Sequence, residues 1–134
     1  VMAVIDRFVK FQSEYKDKSV QLVGINANDV STYPRDSFEN MIKFYSEHNM
    51  NFPYLVDDTQ ETAAAYQAVC TPDIYLYDSS RELKYRGRFD NNWKDESSVT
   101  QKDLKIVTDM LLEGKNISKI AQLPSMGCSI KWKN

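Results

Sequence analysis

The sequence predicts a single α/β domain, because helical and strand-like patterns alternate along a chain of ordinary single-domain length. Segments with apolar residues three and four positions apart alternate with short β-branched runs, and two of these runs flank a turn-rich stretch. The 134 residues match the usual size of one globular domain, and no repeat or low-complexity tract divides them. The predicted order is helix, strand, helix, short strand, helix, hairpin and helix, followed by a tail after Gly114, a natural helix stop.

The first two elements are a helix that begins with the chain and a buried strand. Apolar residues from Val1 to Tyr15 recur at helical spacing, and charged residues such as Arg7 occupy the opposite face. After a charged turn, residues 20–26 are mostly apolar and β-branched, which is typical of a buried parallel strand. A strand therefore follows the helix directly.

Three further helices are predicted from the capping-box arrangement, in which a polar N-terminal residue precedes an acidic one by three positions. The pairs with this spacing are Asp36 with Glu39, Asp58 with Glu61, and Thr100 with Asp103. The helices that follow these pairs end near His48, Tyr66 and Leu111. In the first of them, the apolar face consists of Phe38, Met41, Ile42 and Tyr45.

A β-hairpin is predicted between the last two helices. Residues 74–77 and 83–89 are rich in apolar and aromatic side chains, and the turn-forming residues 78–81 separate them. In the second strand an apolar set is predicted to face the core, namely Leu83, Tyr85 and Phe89. The alternating basic set is predicted to face solvent, namely Lys84, Arg86 and Arg88.

Composition and charge exclude several classes of function. The formal net charge is -2, without a concentrated basic face, which argues against a nucleic-acid partner. No apolar run reaches the roughly 18 residues that span a bilayer, so we expect a soluble protein without a membrane partner. A cytoplasmic location is expected as well, although the chain opens at Val1 without a cap for its first helix. The two cysteines, Cys70 and Cys128, have neither the spacing of a disulfide framework nor that of metal ligands, so no metal site is expected.

The single histidine and a pair of adjacent aspartates have ordinary structural interpretations. His48 is the single histidine and ends a predicted helix, where a cation interacts favourably with the carbonyl end of the dipole. A hydrolase triad is poorly supported, because a recognisable serine nucleophile motif is missing as well. Asp57 and Asp58 resemble paired catalytic carboxylates, but adjacent acids before a helix more simply provide a turn and an N-cap.

Several segments carry a resemblance to a known family. They are residues 24–29, 52–58, 70–73 (Cys-Thr-Pro-Asp) and 85–90, with the tail residues 124–133 (Pro-Ser-Met-Gly-Cys-Ser-Ile-Lys-Trp-Lys). Together these segments resemble the redoxin group related to alkyl hydroperoxide reductase and thiol-specific antioxidant proteins, which are peroxiredoxin-like. The resemblance implies a thioredoxin-like fold with three α/β/α layers over residues 1–114, followed by a C-terminal tail at 115–134.

The resemblance also implies structure before Val1. In that family a β-strand and a Cys-x-x-Cys motif precede the first helix, whose N-terminus stabilises the reactive thiolate. We therefore expect the chain to be an N-terminally incomplete form of the fold, with the main redox cysteines upstream of Val1. The absent strand would lie between the strand at 20–26 and the hairpin, so its loss would split the sheet. Replacement of that strand by another chain is the alternative.

Residues 70–72 form the candidate substrate-facing loop. The resemblance implies a cis bond before Pro72, which would expose the Thr71 backbone to an extended substrate, and an ordinary strand-entry proline is the alternative. Cys70 is a candidate auxiliary or resolving thiol, or a buried apolar residue. Cys128 lies near Lys131 in a glycine-containing tail and is a second candidate resolving thiol. A disulfide between Cys70 and Cys128 remains open.

The resemblance therefore implies a thiol-dependent oxidoreductase that acts by thiol–disulfide exchange or by peroxide reduction. Its substrate would be a protein disulfide, a peroxide or a small thiol, and a reducing thiol would be its partner, without a bound cofactor. Two alternatives stay open. The first is a non-catalytic thioredoxin-fold module that binds an extended peptide, and the second is a sensor in which Cys128 alone is redox-active.

Overall fold

A computed structural model of the chain describes residues 3–134. These residues divide into two compact units, which we call the amino-terminal unit (3–68 with 130–134) and the hairpin unit (69–129). Val1, where the first helix is predicted to start, lies outside the described residues. Over the described part of the chain, no helix has the length and apolarity needed to cross a membrane.

The amino-terminal unit contains helices and a parallel pair of strands. Its helices are α1 (Ile5–Tyr15), α2 (Phe38–Glu47) and α3 (Glu61–Ala65). Its strands are β1 (Gly24–Asn26) and β2 (Tyr54–Val56), which pair in parallel along their whole length. The predicted parallel pairing of the first strand is therefore confirmed.

Helix α1 packs through a wider stripe than the sequence predicts. Ile5 and Tyr15 are fully buried, as expected of the apolar face. Arg7, predicted to face solvent, is only 6% exposed, so this prediction is wrong. Arg7 lies one helical turn before Phe11 and two turns before Tyr15, so its aliphatic stem continues their buried stripe.

Strand β1 is shorter than the predicted strand at residues 20–26. The Gln12 side chain of α1 forms hydrogen bonds with backbone groups of the segment that precedes β1. Its Nε2 donates to Val20 O (3.0 Å), and its Oε1 accepts from Leu22 N (2.6 Å). Because these groups bond to a side chain, regular strand pairing begins only at Gly24.

Part of the apolar surface that the sequence predicts to be buried is exposed. In the segment leading into β1, Val23 is 50% exposed and Ile25 is 41% exposed, whereas Asn26 is buried. In α2 only Met41 of the predicted apolar face is buried, and Ile42 is 56% exposed. One face of each element therefore packs while the adjoining apolar positions remain open to solvent.

The helix ends of this unit are capped by neighbours of the predicted residues. Helix α2 begins after Ser37 rather than Asp36, and the Ser37 hydroxyl accepts from Asn40 N (3.3 Å). Gln60 is the N-cap residue of α3, and the Asp57 carboxylate, rather than Asp58, accepts from the amides of Thr62 (3.3 Å) and Ala63 (2.8 Å). The predicted N-cap at Asp58 is therefore wrong, but Asp57 satisfies two amides in the first turn of α3 from outside the N-cap position, so the acidic pair does serve the helix start.

The hairpin unit contains short antiparallel strands and one helix. Its elements are β3 (Cys70–Thr71), β4 (Ile74–Tyr77), β5 (Leu83–Gly87), α4 (Asp103–Leu112) and β6 (Cys128–Ser129). Strand β4 pairs with β5 and strand β3 pairs with β6, both antiparallel. The predicted hairpin is confirmed. Tyr85 is buried as predicted, but Leu83, at the open end of β5, is 48% exposed.

Helix α4 begins without the predicted capping box. The Thr100 hydroxyl instead accepts from Asn91 Nδ2 (2.6 Å), and the helix starts at Asp103. Arg88 Nε donates to the buried Asp103 carboxylate (2.9 Å), so this arginine is paired rather than freely solvated. The predicted stop is confirmed at Gly114, where φ is +73°.

Candidate functional site

The predicted loop and the predicted tail cysteine meet in one place. Strand β6 lies antiparallel to β3, so Cys70 is opposite Ser129 and Thr71 is opposite Cys128. The Thr71 hydroxyl donates to Cys128 O at 3.4 Å. The peptide bond between Thr71 and Pro72 is cis. All four site residues predicted from the sequence therefore lie on this short ladder or directly beside it.

The two cysteines point to opposite faces of the ladder. Opposite residues of an antiparallel pair share a face, and successive residues of a strand alternate faces. Cys70 therefore shares a face with Ser129, and Cys128 shares the other face with Thr71. Both cysteines are free thiols. A disulfide between them would require the ladder to open, because a disulfide needs Cβ vectors that converge.

Cys70 is held as a protonated thiol. It is half-buried, and its Sγ donates to Ser125 O (3.6 Å). Burial raises the pKa of the Cys70 thiol, the Asp73 carboxylate raises it further, and Arg86 partly offsets both. Because the thiolate is the nucleophile, Cys70 in this environment is a poor attacking group at neutral pH.

Cys128 is the accessible thiol of the pair. It is exposed, between Gly127 and Ser129 in the tail. The ammonium group of Lys131, which the sequence suggests as an activating charge, lies 5.3 Å from the centroid of the Tyr33 ring. The exposure of Cys128 leaves this residue accessible to a reagent from solvent.

A buried carboxylate supports the loop, and the sequence interpretation did not single it out. The Asp73 side chain is 7% exposed and accepts from Tyr75 Oη (3.1 Å), Arg86 Nη2 (3.1 Å) and Ser125 Oγ (3.4 Å). The Arg86 guanidinium also lies 5.1 Å from the centroid of the Tyr75 ring. Burial, followed by the charge of Asp73, raises the pKa of Tyr75 to about 12.

The sequence predicts that Arg86 lies on the solvent-facing side of its strand. Its contact with Asp73 shows that this prediction is wrong. Arg86 is half-buried and ion-paired. Hairpin register explains the difference, because Arg86 is directly opposite Tyr75 in the ladder and both side chains reach back to Asp73. The available sequence signal was an acidic residue directly after Pro72 and a basic residue in the facing strand.

Comparison with known proteins identifies the family. The profile of the AhpC/TSA family matches residues 2–86, which is more than half of the chain. The chain belongs to the AhpC/TSA family. The resemblance stated from the sequence is thus confirmed, and with it the thioredoxin-like fold of this peroxiredoxin-like group of oxidoreductases.

Two solved structures are similar to this AhpC/TSA chain over 99% of its length. A hypothetical protein of Sinorhizobium meliloti 1021 is 37% identical with a TM-score of 0.92, and the chain covers 73% of it. An uncharacterized conserved protein of Geobacillus kaustophilus is 43% identical with a TM-score of 0.89, and the chain covers 70% of it. Among curated proteins, none matches the chain.

Other residues singled out from sequence belong to the amino-terminal unit of this AhpC/TSA protein and serve its helices. His48 is the C-cap residue of α2, with its ring centroid 4.3 Å from that of Phe44 and its Nδ1 3.8 Å from Asp6. Asp57 accepts from two amides at the start of α3. Within residues 3–134, no group of three or more histidine, cysteine or acidic side chains is placed to hold a metal ion.

Proposed function

We propose that the protein is a thiol-dependent oxidoreductase that works by thiol–disulfide exchange, with Cys128 as the exchanging thiol of this site. The observation that supports this proposal is the β3–β6 ladder, which presents an exposed thiol directly beside Thr71 and Pro72. Thr71 and Pro72 are then the residues that face the substrate. Membership of a peroxiredoxin-like oxidoreductase family supports the same class of chemistry.

The exchange balances with one incoming disulfide and one reducing thiol. The Cys128 thiolate attacks one sulfur of the disulfide, whose S–S bond breaks as the mixed disulfide forms and the other half leaves as a thiolate. The thiolate of the reducing partner then attacks the substrate sulfur of the mixed disulfide, forms a new disulfide with it and releases Cys128 as a thiolate. Because Cys70 lies on the opposite face of the ladder, this second thiol comes from outside the pair.

Exchange suits these two thiols better than peroxide reduction. Peroxide reduction requires a thiolate of low pKa, which peroxide oxidises to a sulfenic acid. The pKa of Cys70 is shifted in the opposite direction by its burial. Exchange with a bulky disulfide instead requires access to the attacking sulfur, and the exposed Cys128 provides it.

The test compares the two matched variants Cys70→Ser and Cys128→Ser with the unmodified chain. Each protein is reacted with an aromatic disulfide reagent at neutral pH, and then with glutathione disulfide followed by intact-mass measurement. We expect Cys70→Ser to keep the fast reaction and to form one glutathione adduct. We expect Cys128→Ser to lose the fast reaction, so that this variant reacts at least about tenfold more slowly than the unmodified chain. Faster reaction at Cys70 than at Cys128 contradicts the proposal.

A non-catalytic strand-binding module is the second candidate, and the same ladder favours it. The Thr71 edge does pair with an extended strand, since β6 occupies it. The double variant Cys70→Ser, Cys128→Ser separates the two functions. If the protein is a binding module, the double variant still binds peptide, and the unmodified chain has no thiol turnover. If it is an oxidoreductase, removing both thiols abolishes turnover.

A further inference from the structure

The two most exposed large apolar side chains of residues 3–134 flank the ladder that carries the exposed thiol. Met126 is 69% exposed and Val69 is 66% exposed. Val69 directly precedes β3, and Met126 lies two positions before Cys128 of β6. We call these two side chains the apolar rim. Single exposed apolar residues are common on protein surfaces, but two beside one reactive group indicate a contact surface.

The register of the ladder places the apolar rim on the side of Thr71 and Cys128. These two residues are opposite each other, and Val69, two residues before Thr71, shares their face by strand alternation. Gly127 passes so close to Thr71 that a Cβ there would overlap the Thr71 carbonyl oxygen, which keeps the neighbouring Met126 at the loop. The Thr71 hydroxyl already donates to Cys128 O (3.4 Å). This face therefore presents one thiol with apolar side chains around it.

The two strands of the ladder and the residues that flank them are uncharged. Residues 69–72 and 120–129 contain no charged side chain, although 27% of the whole chain is charged. The next charged residue along the loop, Asp73, is 7% exposed and ion-paired with Arg86. A charged ligand would lose water here without gaining an opposite charge from these segments, so they complement an uncharged ligand.

The pairing of β3 with β6 limits how a ligand can bind beside Cys128. Strand β6 occupies one backbone edge of β3, so a ligand that leaves Cys128 in its place cannot use that edge. Cys128 is exposed, and a reagent reaches its sulfur without movement of the ladder. A compact molecule that contacts side chains alone meets both conditions.

We propose that Cys128 exchanges with a small organic disulfide that carries uncharged, apolar substituents, and that Val69 and Met126 select this substrate by packing against those substituents. This inference rests on the proposed function, because it names the substrate class of that same thiol. The Cys128 thiolate attacks one sulfur, the S–S bond breaks, and one apolar half stays on Cys128. The other half leaves as a thiolate and takes a proton from water, and a reducing thiol later removes the bound half as a new disulfide.

The test measures how fast Cys128 forms a mixed disulfide in a Cys70→Ser background. The probes are dipropyl disulfide, which is apolar, hydroxyethyl disulfide, which is neutral and polar, cystamine, which is cationic, and dithiodipropionate, which is anionic. Each rate is divided by the rate of the same probe with the uncharged thiol N-acetylcysteine amide, because leaving groups differ in intrinsic reactivity. We expect the normalised rate of dipropyl disulfide to exceed the other three about fivefold, since its propyl group is partly removed from water.

Variants of the apolar rim test the two selecting residues. The double variant Val69→Thr, Met126→Gln replaces them with polar side chains of similar size, and Leu112→Gln is the matched control at an exposed apolar position of α4 in the same unit. We expect the double variant to reduce the preference for dipropyl over hydroxyethyl disulfide at least about threefold, and Leu112→Gln to leave it unchanged. With the rim intact, the normalised rate should rise about twofold at each step from diethyl to dipropyl to dibutyl disulfide.

Equal normalised rates for the four probes would overturn the inference, as would a higher rate for a charged probe or a flat alkyl series. A preference for dipropyl disulfide that survives in the double variant would also overturn it. The proposed function fails separately, if a Cys128→Ser chain reacts with every probe as fast as the Cys70→Ser chain. A fast reaction of Cys128 without preference among the probes would overturn only this inference.

Discussion

Replacing Asp73 with alanine removes the carboxylate on which three side chains of the candidate site converge. Hydrogen bonds to a charged group contribute about 1.5–3 kcal/mol each, and breaking a buried ion pair costs about 3–5 kcal/mol. The Arg86 side chain is 35% exposed, so water can solvate the guanidinium again, and the Ser125 contact is long at 3.4 Å. We therefore expect Asp73→Ala to lower the free energy of unfolding by about 2–3 kcal/mol.

Urea denaturation followed by tryptophan fluorescence measures this loss. Glu113→Ala is the matched control, because it removes a carboxylate from an exposed surface pair with Lys115 and should cost under about 1 kcal/mol. A cycle with Arg86→Ala should show coupling of about 0.5–3 kcal/mol. The reasoning is refuted if Asp73→Ala costs no more than Glu113→Ala, or if the cycle shows no coupling.

Two further predictions concern helix capping and alkaline stability. Asp57→Ala should lower the free energy of unfolding by about 1 kcal/mol, while Asp57→Asn should lose less, because its single amide oxygen still accepts from one of the two amides at the start of α3; urea midpoints of the two variants test this. The pKa values of Tyr54, Tyr75 and Tyr85 are raised by burial from 10.0 to about 12, so the unfolded chain releases these protons first. The stability that these three tyrosines contribute should therefore be fully present below pH 10 and decline towards pH 12. Urea midpoints that stay constant over this range would contradict the raised pKa values.

Local patterns predicted the fold class and most elements of this protein. The hairpin, the parallel first strand and the stop at Gly114 each depend on residues within a few positions of one another. Capping was predicted less well, because Ser37 and Asp57 compete with acidic neighbours and only backbone geometry decides between them. The burial of Arg7 follows from tertiary packing, which the charge of a side chain does not reveal.

The candidate site was predicted in its residues but not in its geometry. The resemblance pointed to Cys70, Thr71, Pro72 and Cys128, and the β3–β6 ladder brings them together. Two features required the structure: the one-residue offset that separates the cysteines onto opposite faces, and the tail segment, residues 122–129, whose strand β6 lies on β3. Both depend on register between segments far apart in the sequence, which periodicity does not encode.

The tail segment carries the exposed Cys128 and contacts the half-buried Cys70, and this leads to a last prediction. The Ser125 carbonyl accepts from Cys70 Sγ, and burial is the first cause of the raised pKa of that thiol. A Cβ on Gly127 would overlap the carbonyl oxygen of Thr71, so Gly127→Ala forces the tail segment away from β3. Displacing the tail segment should therefore lower the pKa of Cys70 towards its ordinary value. In a Cys128→Ser background, Gly127→Ala should shift the pH profile of Cys70 alkylation to lower pH, and an unchanged profile would show that the tail does not control Cys70. A shift would show that contact with the tail segment keeps Cys70 in its less reactive, protonated form.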